Sequence, residues 1–406
     1  MKPGPGVRHA ARVVRSLTLV AAVWLLACDA RETRLGSWPL PGPADAGAGP
    51  IDAGPTLGRA DAVGSLSLER CIGQVAPQLP LFTCVGASTP PQFQCVVSVA
   101  VDGGVSVVRQ LPSSGTRVIE RLHGLAGEAV VAEVADSAPA GVRTLELFPA
   151  AVPGLERALL TRPGGAPLSG VAVSVDAVDL LSCSGLRCAL ETLPLDGGAV
   201  VVLDADVPTA ATGPILRTAG GVRAWADDGG VTRWTPGGGR VRVQAPGVAR
   251  AALADDGAVY FLSGAALERL AADGARAQLA QGLDAPHAVF AIGGYAVVVE
   301  RRAVRAFPAG GGGALVLYEL PAAASGALGN ARLVQRRLVF DQVCGAFSGR
   351  PVTGRVELDP ARARARWLND DARWPFVPGA SAGAHPLSPT LREVLTSDGV
   401  LVGVVD

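Results

Sequence analysis

Beyond Lys2 the 406-residue chain contains no lysine. That excludes a P-loop lysine, a Schiff-base lysine and a lysine general base from everything downstream, since each needs a primary amine. No Cys-x-x-Cys pair occurs among the seven cysteines, so the spacing of a structural zinc site is missing. Histidine is scarce, and His123, His287 and His385 lie far apart in sequence. No metal centre is expected from them. The apolar run at residues 16–27 stops at twelve residues, short of the ~20 that a membrane-spanning helix requires.

What the first 27 residues do have is zoned. Lys2, Arg8, Arg12 and Arg15 form a basic start without an acidic residue, and the apolar run then ends in Leu25-Leu26-Ala27-Cys28. This is the layout of a secretory signal peptide. Arg12 and Arg15 are separated by two valines, so the general secretory route is expected rather than the twin-arginine one. The Leu-Leu-Ala-Cys ending resembles the lipobox of bacterial lipoproteins. The resemblance implies a diacylglyceryl group on Cys28, cleavage before it and acylation of the new amino terminus. It places the protein in the cell envelope, anchored to the inner or outer membrane and facing the periplasm or the cell surface. Each buried methylene contributes about 0.8 kcal/mol, so two or three chains hold a protein where one is marginal.

Losing residues 1–27 removes four of the 36 basic residues and none of the 36 acidic ones, leaving 32 against 36, a net charge of about −4. Such a chain has no electrostatic case for nucleic acid. Besides Cys28 there remain Cys71, Cys84, Cys95, Cys183, Cys188 and Cys344. An even number in an oxidising compartment reads as up to three disulfides. Cys183 and Cys188 are expected to pair across a tight hairpin, closing a loop worth only ~2 kcal/mol in the chain-entropy model. The other four allow three connectivities, of which one tying Cys344 to the N-terminal cysteines is favoured.

Residues 28–63 are rich in Pro, Gly, Ala and Asp and lack apolar periodicity, so they read as a flexible tether. Residues 64–406 repeat. A short strand pattern runs into Pro-x-x-Gly and another leaves it at Pro112, Pro194, Pro236, Pro308 and Pro351, with degenerate copies at Pro149 and Ala271. The mean step is about 40 residues. Two units, at 251–280 and 287–318, divide into four strands each. Asp-Gly pairs punctuate them, a dipeptide suited to hairpins in which both turn residues take positive φ. Four-stranded antiparallel units at this period describe a β-propeller, and the chain resembles short-repeat propellers of the NHL and YWTD kind. An all-β fold of seven blades is expected, with six and eight as alternatives. A pair of β-sandwiches or an open array are the rival folds. Residues 400–405 are placed to close the ring beside the N-terminal segment.

Chemistry is thin. Gly379-Ala-Ser381-Ala-Gly383 with His385 nearby fits a nucleophile-elbow pattern, but no helical pattern follows, so a loop is the better reading. Arg362, Arg364 and Arg366 alternate beside Trp367, which reads as a solvated edge balanced by Asp359, Asp370 and Asp371. The Asp-x-x-x-Gly-x-x-x-Trp repeat that would imply a quinone is absent, and no cofactor is expected. The reading that follows is a membrane-anchored binding or scaffold module for a protein or glycan partner. The alternative is a propeller hydrolase or lyase acting on an extracellular or periplasmic polymer.

Overall fold

A computed structural model describes residues 56–64, 66, 93–99, 105–112, 117–126, 129–136, 141–149, 157–162, 168–184, 187–208, 210–322, 326–334, 336–347, 350–368, 391–397 and 400–405. Of the two compact units, Met1–Ala46 and Gly47–Asp406, all of these fall in the second. Every regular element among them is a strand. Numbered along the chain, β1 (Phe93–Val99) and β2 (Val105–Pro112) come first. Blade 1 is β3 (Arg117–Ala126), β4 (Ala129–Asp136), β5 (Val142–Pro149) and β6 (Arg157–Arg162). Blade 2 is β7 (Ser169–Val173), β8 (Ala177–Ser184), β9 (Arg187–Pro194) and β10 (Val201–Val207). Blade 3 is β11 (Leu216–Arg217), β12 (Arg223–Asp227), β13 (Gly230–Thr235) and β14 (Gly239–Gln244). Blade 4 is β15 (Val248–Leu253), β16 (Val259–Ser263), β17 (Ala266–Leu270) and β18 (Arg276–Ala280). Blade 5 is β19 (Ala288–Ile292), β20 (Tyr295–Val299), β21 (Ala303–Pro308) and β22 (Leu315–Glu319). Blade 6 is β23 (Leu328–Val334), β24 (Arg337–Phe347), β25 (Arg350–Asp359) and β26 (Arg364–Trp367). Last come β27 (Leu391–Ser397) and β28 (Val400–Val405).

Each blade is an antiparallel meander in chain order, except the seventh sheet, whose order is β2-β1-β28-β27. Strand β1 bonds β28 in register from Cys95 opposite Val405 to Val99 opposite Leu401. The two ends of the repeat domain therefore share one blade, which turns a row of sheets into a closed ring. First strands of successive blades pack side by side, β27 on β3, β3 on β7, β11 on β15 and β15 on β19, so they form the inner wall. This is a seven-bladed β-propeller, all-β as the repeats imply.

The core lies between blades. Along β16, Val259 and Phe261 join Ala224, Val231 and Leu270 in the wedge shared with blade 3. Their alternates Tyr260 and Leu262 join Val289 and Val298 in the wedge shared with blade 5. Strand β20 repeats this, sending Val297 and Val299 to blade 6 and Ala296 and Val298 to blade 4. A sheet covered on both faces needs apolar residues in both phases of the pleat, hence the continuous runs Val259-Tyr-Phe-Leu and Val297-Val-Val.

The hairpins are built differently from the sequence expectation. In the Asp-Gly turns, Gly257, Gly274 and Gly197 have φ of 80°, 89° and 94°, but the aspartates before them do not have positive φ. Their carboxylates instead accept the amide two residues on, Ala258 from Asp256 and Ala275 from Asp273, each at 2.9 Å. Aspartate is there to hold an Asx turn.

The stretch assigned to the tether also differs at its end. Residues 56–64 lie across the outer strands of blades 5 and 6 as a strap. The Ala60 amide donates to Leu317 and the Gly58 amide to Pro360, each at 2.8 Å, and the Trp367 indole donates to Gly64 at 3.1 Å. Leu57 and Ala60 are buried among Leu317, Tyr318, Phe340 and Val356. Two apolar side chains in a Pro/Gly-rich setting are too few to show periodicity, yet enough to fill a groove.

Candidate functional site

Most buried charge in this ring is spent on arginine. Glu133 on β4 takes Arg143 at 2.9 Å, His123 at 3.2 Å and the Leu168 amide at 3.3 Å. Burial pushes its carboxyl up, but these hydrogen bonds together hold it below the ordinary value. Asp227 is gripped by two Arg242 nitrogens at 2.6 and 3.0 Å, Glu268 by Arg276 at 2.9 Å, and Asp341 by Arg355 at 2.7 Å. Asp179 reaches further. It lies on β8 and binds Arg223 of β12 in the next blade at 3.1 and 3.2 Å, with Arg217 at 3.4 Å. These groups stitch strands and blades together.

The sequence candidates fall into place accordingly. His123 serves Glu133, while the His287 amide, ahead of β19, bonds Val299. Among the described residues no cluster of three metal-ligating side chains occurs. Strand β26 begins at Arg364, so Arg362 sits in the preceding turn, and the three arginines do not share one strand. Arg366 is held by Glu357 at 2.9 Å and Arg362 faces Asp359 at 3.8 Å. Asp370, Asp371, Ser381, His385, Cys28, Cys71 and Cys84 lie outside the described residues, as does the side chain of Cys95. Cys183 and Cys188 form a disulfide with Cα atoms 3.9 Å apart, facing each other across the β8–β9 hairpin. Cys344 is disulfide-bonded as well. Such bonds persist in oxidising, exported compartments.

Blade 1 carries a shallow depression of about 290 Å³ lined by Val118, Glu120, Asp136, Val142 and Arg143. Its Glu120 and Arg143 are bonded to each other. The outer edges of the blades offer more. Strands β14 and β18 carry arginines, and the strap lies across β22 and β26. Strand β10 has neither guard where its valines lie. Val201 and Val202 are 48 and 54 % exposed at the start of a strand bonded only to β9, and Val200 just ahead of it is 44 % exposed. Beyond them Asp204 and Asp206 are neutralised by Arg240 at 3.0 Å and Arg187 at 2.6 Å. The result is an open run of backbone donors and acceptors with apolar side chains and no local net charge. Sequence reasoning missed it because three valines in a row resemble the buried strands of the other blades.

No protein-family model matches the chain, and no curated protein does either. Solved structures resemble it weakly. A gluconolactonase from Xanthomonas campestris aligns over 55 % of this chain and 91 % of its own, at 16 % identity and a TM-score of 0.32. A puromycin-hydrolysing peptidase from Mycobacterium tuberculosis aligns over 64 % and 50 %, at 14 % identity and 0.38. A protein of unknown function from Desulfotomaculum acetoxidans aligns over 69 % and 96 %, at 9 % identity and 0.39. Likeness at this level carries no argument about activity.

Proposed function

We propose that the protein is an exported lipoprotein, acylated on Cys28, whose propeller is a binding module for a protein partner at the cell envelope. The observation that carries the binding role is the unguarded β10 edge. Exposed apolar strand edges are templates for another strand, and strand addition gains affinity from main-chain hydrogen bonds and specificity from alternate side chains. The occupant that fits is an extended partner segment with β-branched or other apolar residues opposite Val200–Val202. The neutral flanks repel neither charge sign, and the neighbouring Arg240–Asp204 pair fixes where the pairing stops.

The test uses the full-length chain in solubilised envelope. A captured partner, once purified, is expected to slow amide hydrogen exchange at residues 199–203. Val201→Lys is expected to abolish capture while shifting stability by less than about 0.5 kcal/mol, as exposed surface substitutions do. Undiminished capture by that variant, or protection elsewhere on the ring with none at β10, would overturn the assignment.

The anchor rests on the lipobox and has its own test. Cys28→Ser is expected to move the protein from the membrane fraction to the soluble one and to remove the acyl mass. A substituted protein that stays membrane-bound at unmodified mass sinks the lipoprotein reading.

A further inference from the structure

The open stretch of the β10 edge is closed at both ends by hydrogen bonds. On one side Gly197 turns the chain at a φ of 94°, and the Gly198 amide donates to the Asp196 carboxylate at 2.9 Å. On the other side the Asp206 amide donates to the Asp204 carboxylate at 3.1 Å. The Asp206 carbonyl accepts Arg240 at 2.6 Å. Between Gly198 and Asp204 lies Ala199-Val200-Val201-Val202-Leu203. Ala199, Val200, Val201 and Val202 are all exposed, so both phases of the pleat meet solvent. Leu203 is half-buried, and the ladder to β9 slips between Val202 and Asp204.

This run is symmetric about Val201. Turned end for end, it again offers a small or apolar residue at each rim and three valines between them. An antiparallel partner must match it with apolar side chains at three successive positions, on both faces. Among the described residues, the exposed large apolar side chains that stand three in a row are those of the run itself. Register is selected as well. With the centre at Val201, Val200 meets the second copy's Val202, and Asp204 meets Gly198. A glycine there has no side chain to crowd the Asp204–Arg240 pair. Moving the centre to Val202 sets Val200 against Asp204, and moving it to Val200 leaves Val202 against Gly198. A strand paired with its own copy makes a two-fold contact that closes at two.

We infer that the partner of the β10 edge is a second copy of this chain, paired antiparallel about Val201. The inference rests on the docking role proposed for that edge and gives the partner its identity. Two four-stranded blades join edge to edge into one sheet. Main-chain hydrogen bonds along residues 199–203 tie the copies, and their valines pack in cross-strand pairs. Three half-exposed valines a side fall short of the roughly 1,200 Å² that a permanent dimer buries. The pair therefore forms and parts with local concentration, which a shared membrane raises.

The experiment places cysteines along the run in full-length solubilised protein and oxidises it with glutathione disulfide, beside the parent treated alike. Two copies of Val201→Cys stand directly opposite, with Cα atoms about 4.5–5.5 Å apart, inside the range a disulfide spans. Copies of Val200→Cys, or of Val202→Cys, stand diagonally at roughly 8 Å, beyond the limit of about 7 Å. Val201→Cys alone is expected to double in mass on a non-reducing gel, while the parent and the other two single variants do not. Mixing Val200→Cys with Val202→Cys is expected to restore the doubled band. Val201→Lys is expected to lose the concentration-dependent association that the parent shows in sedimentation. An unchanged melting temperature in each variant establishes that the ring is intact. No covalent dimer from Val201→Cys, or equal yields from all three single variants, overturns the inference. If a different captured protein then protects residues 199–203, the docking role of β10 stands without it. If capture is also undiminished in Val201→Lys, that role falls too.

Discussion

Asp179→Ala is expected to destabilise the propeller by about 3–5 kcal/mol, the cost of leaving a buried arginine without its carboxylate. Asp179 is fully buried and Arg223 nearly so, and their bond joins blade 2 to blade 3. Without it Arg223 retains the Gly221 carbonyl and the face of Trp234, 5.2 Å away, which leaves its charge largely uncompensated. Replacing the pair together, Asp179→Leu with Arg223→Met, is expected to recover most of the loss, because two apolar groups avoid the desolvation that one orphaned charge suffers. Denaturant unfolding of both single variants and the double variant measures this directly. A single variant within about 0.5 kcal/mol of the parent would show that the pair is solvated.

The second large effect is alkaline. The Tyr318 phenol is fully buried, donates to Gln342 and accepts the Val63 amide from the strap at 3.3 Å. Burial pushes its pKa up to about 12, partly opposed by the bond from Val63. An unfolded tyrosine titrates near its ordinary value of about 10. Between those values the folded state keeps a proton that the unfolded state has lost. Stability is therefore complete below about pH 10 and falls as pH rises through about 12, by roughly 1.4 kcal/mol per unit and about 3 kcal/mol in all. Most proteins hide such a signal beneath lysines titrating in the same range. Here the only lysine is Lys2 and there are three tyrosines, so the background is small. Tyr260 is also raised by burial and adds in the same direction. Thermal melts from pH 9 to 12 are expected to fall steeply in the parent and less so in Tyr318→Phe. Equal slopes would mean that Tyr318 is not the titrating group.

Much of the ring was legible in sequence, and the reasons can be traced to particular residues. The units at 251–280 and 287–318 match blades 4 and 5 nearly strand for strand, because tight turns leave hairpins little choice of register. The Pro-x-x-Gly anchors mark the turn between third and fourth strands in blades 1 to 5. Pro112 instead ends β2, and Pro351 lies within β25. The corresponding turn of blade 6 is at residues 360–363, so the number seven emerged in spite of displaced marks. Interblade bonds leave no local trace. Asp179 and Arg223 stand 44 residues apart, about one repeat, and nothing near either names the other. The β10 edge was hidden because exposure is decided by which strand comes last in a blade, not by composition.

The strap has a mechanical consequence. It precedes β1 in the chain, so a pull on the N-terminal end arrives first at residues 56–64 and not at the seam between β1 and β28. The load falls on the Gly58–Pro360, Ala60–Leu317 and Gly64–Trp367 hydrogen bonds together, with Leu57 and Ala60 wedged between two blades. The strap serves as a strain relief, like the clamp that keeps a tug on a cable from reaching the soldered joint. A pull on the strap's N-terminal side is borne there before it reaches the place where the ring's ends meet.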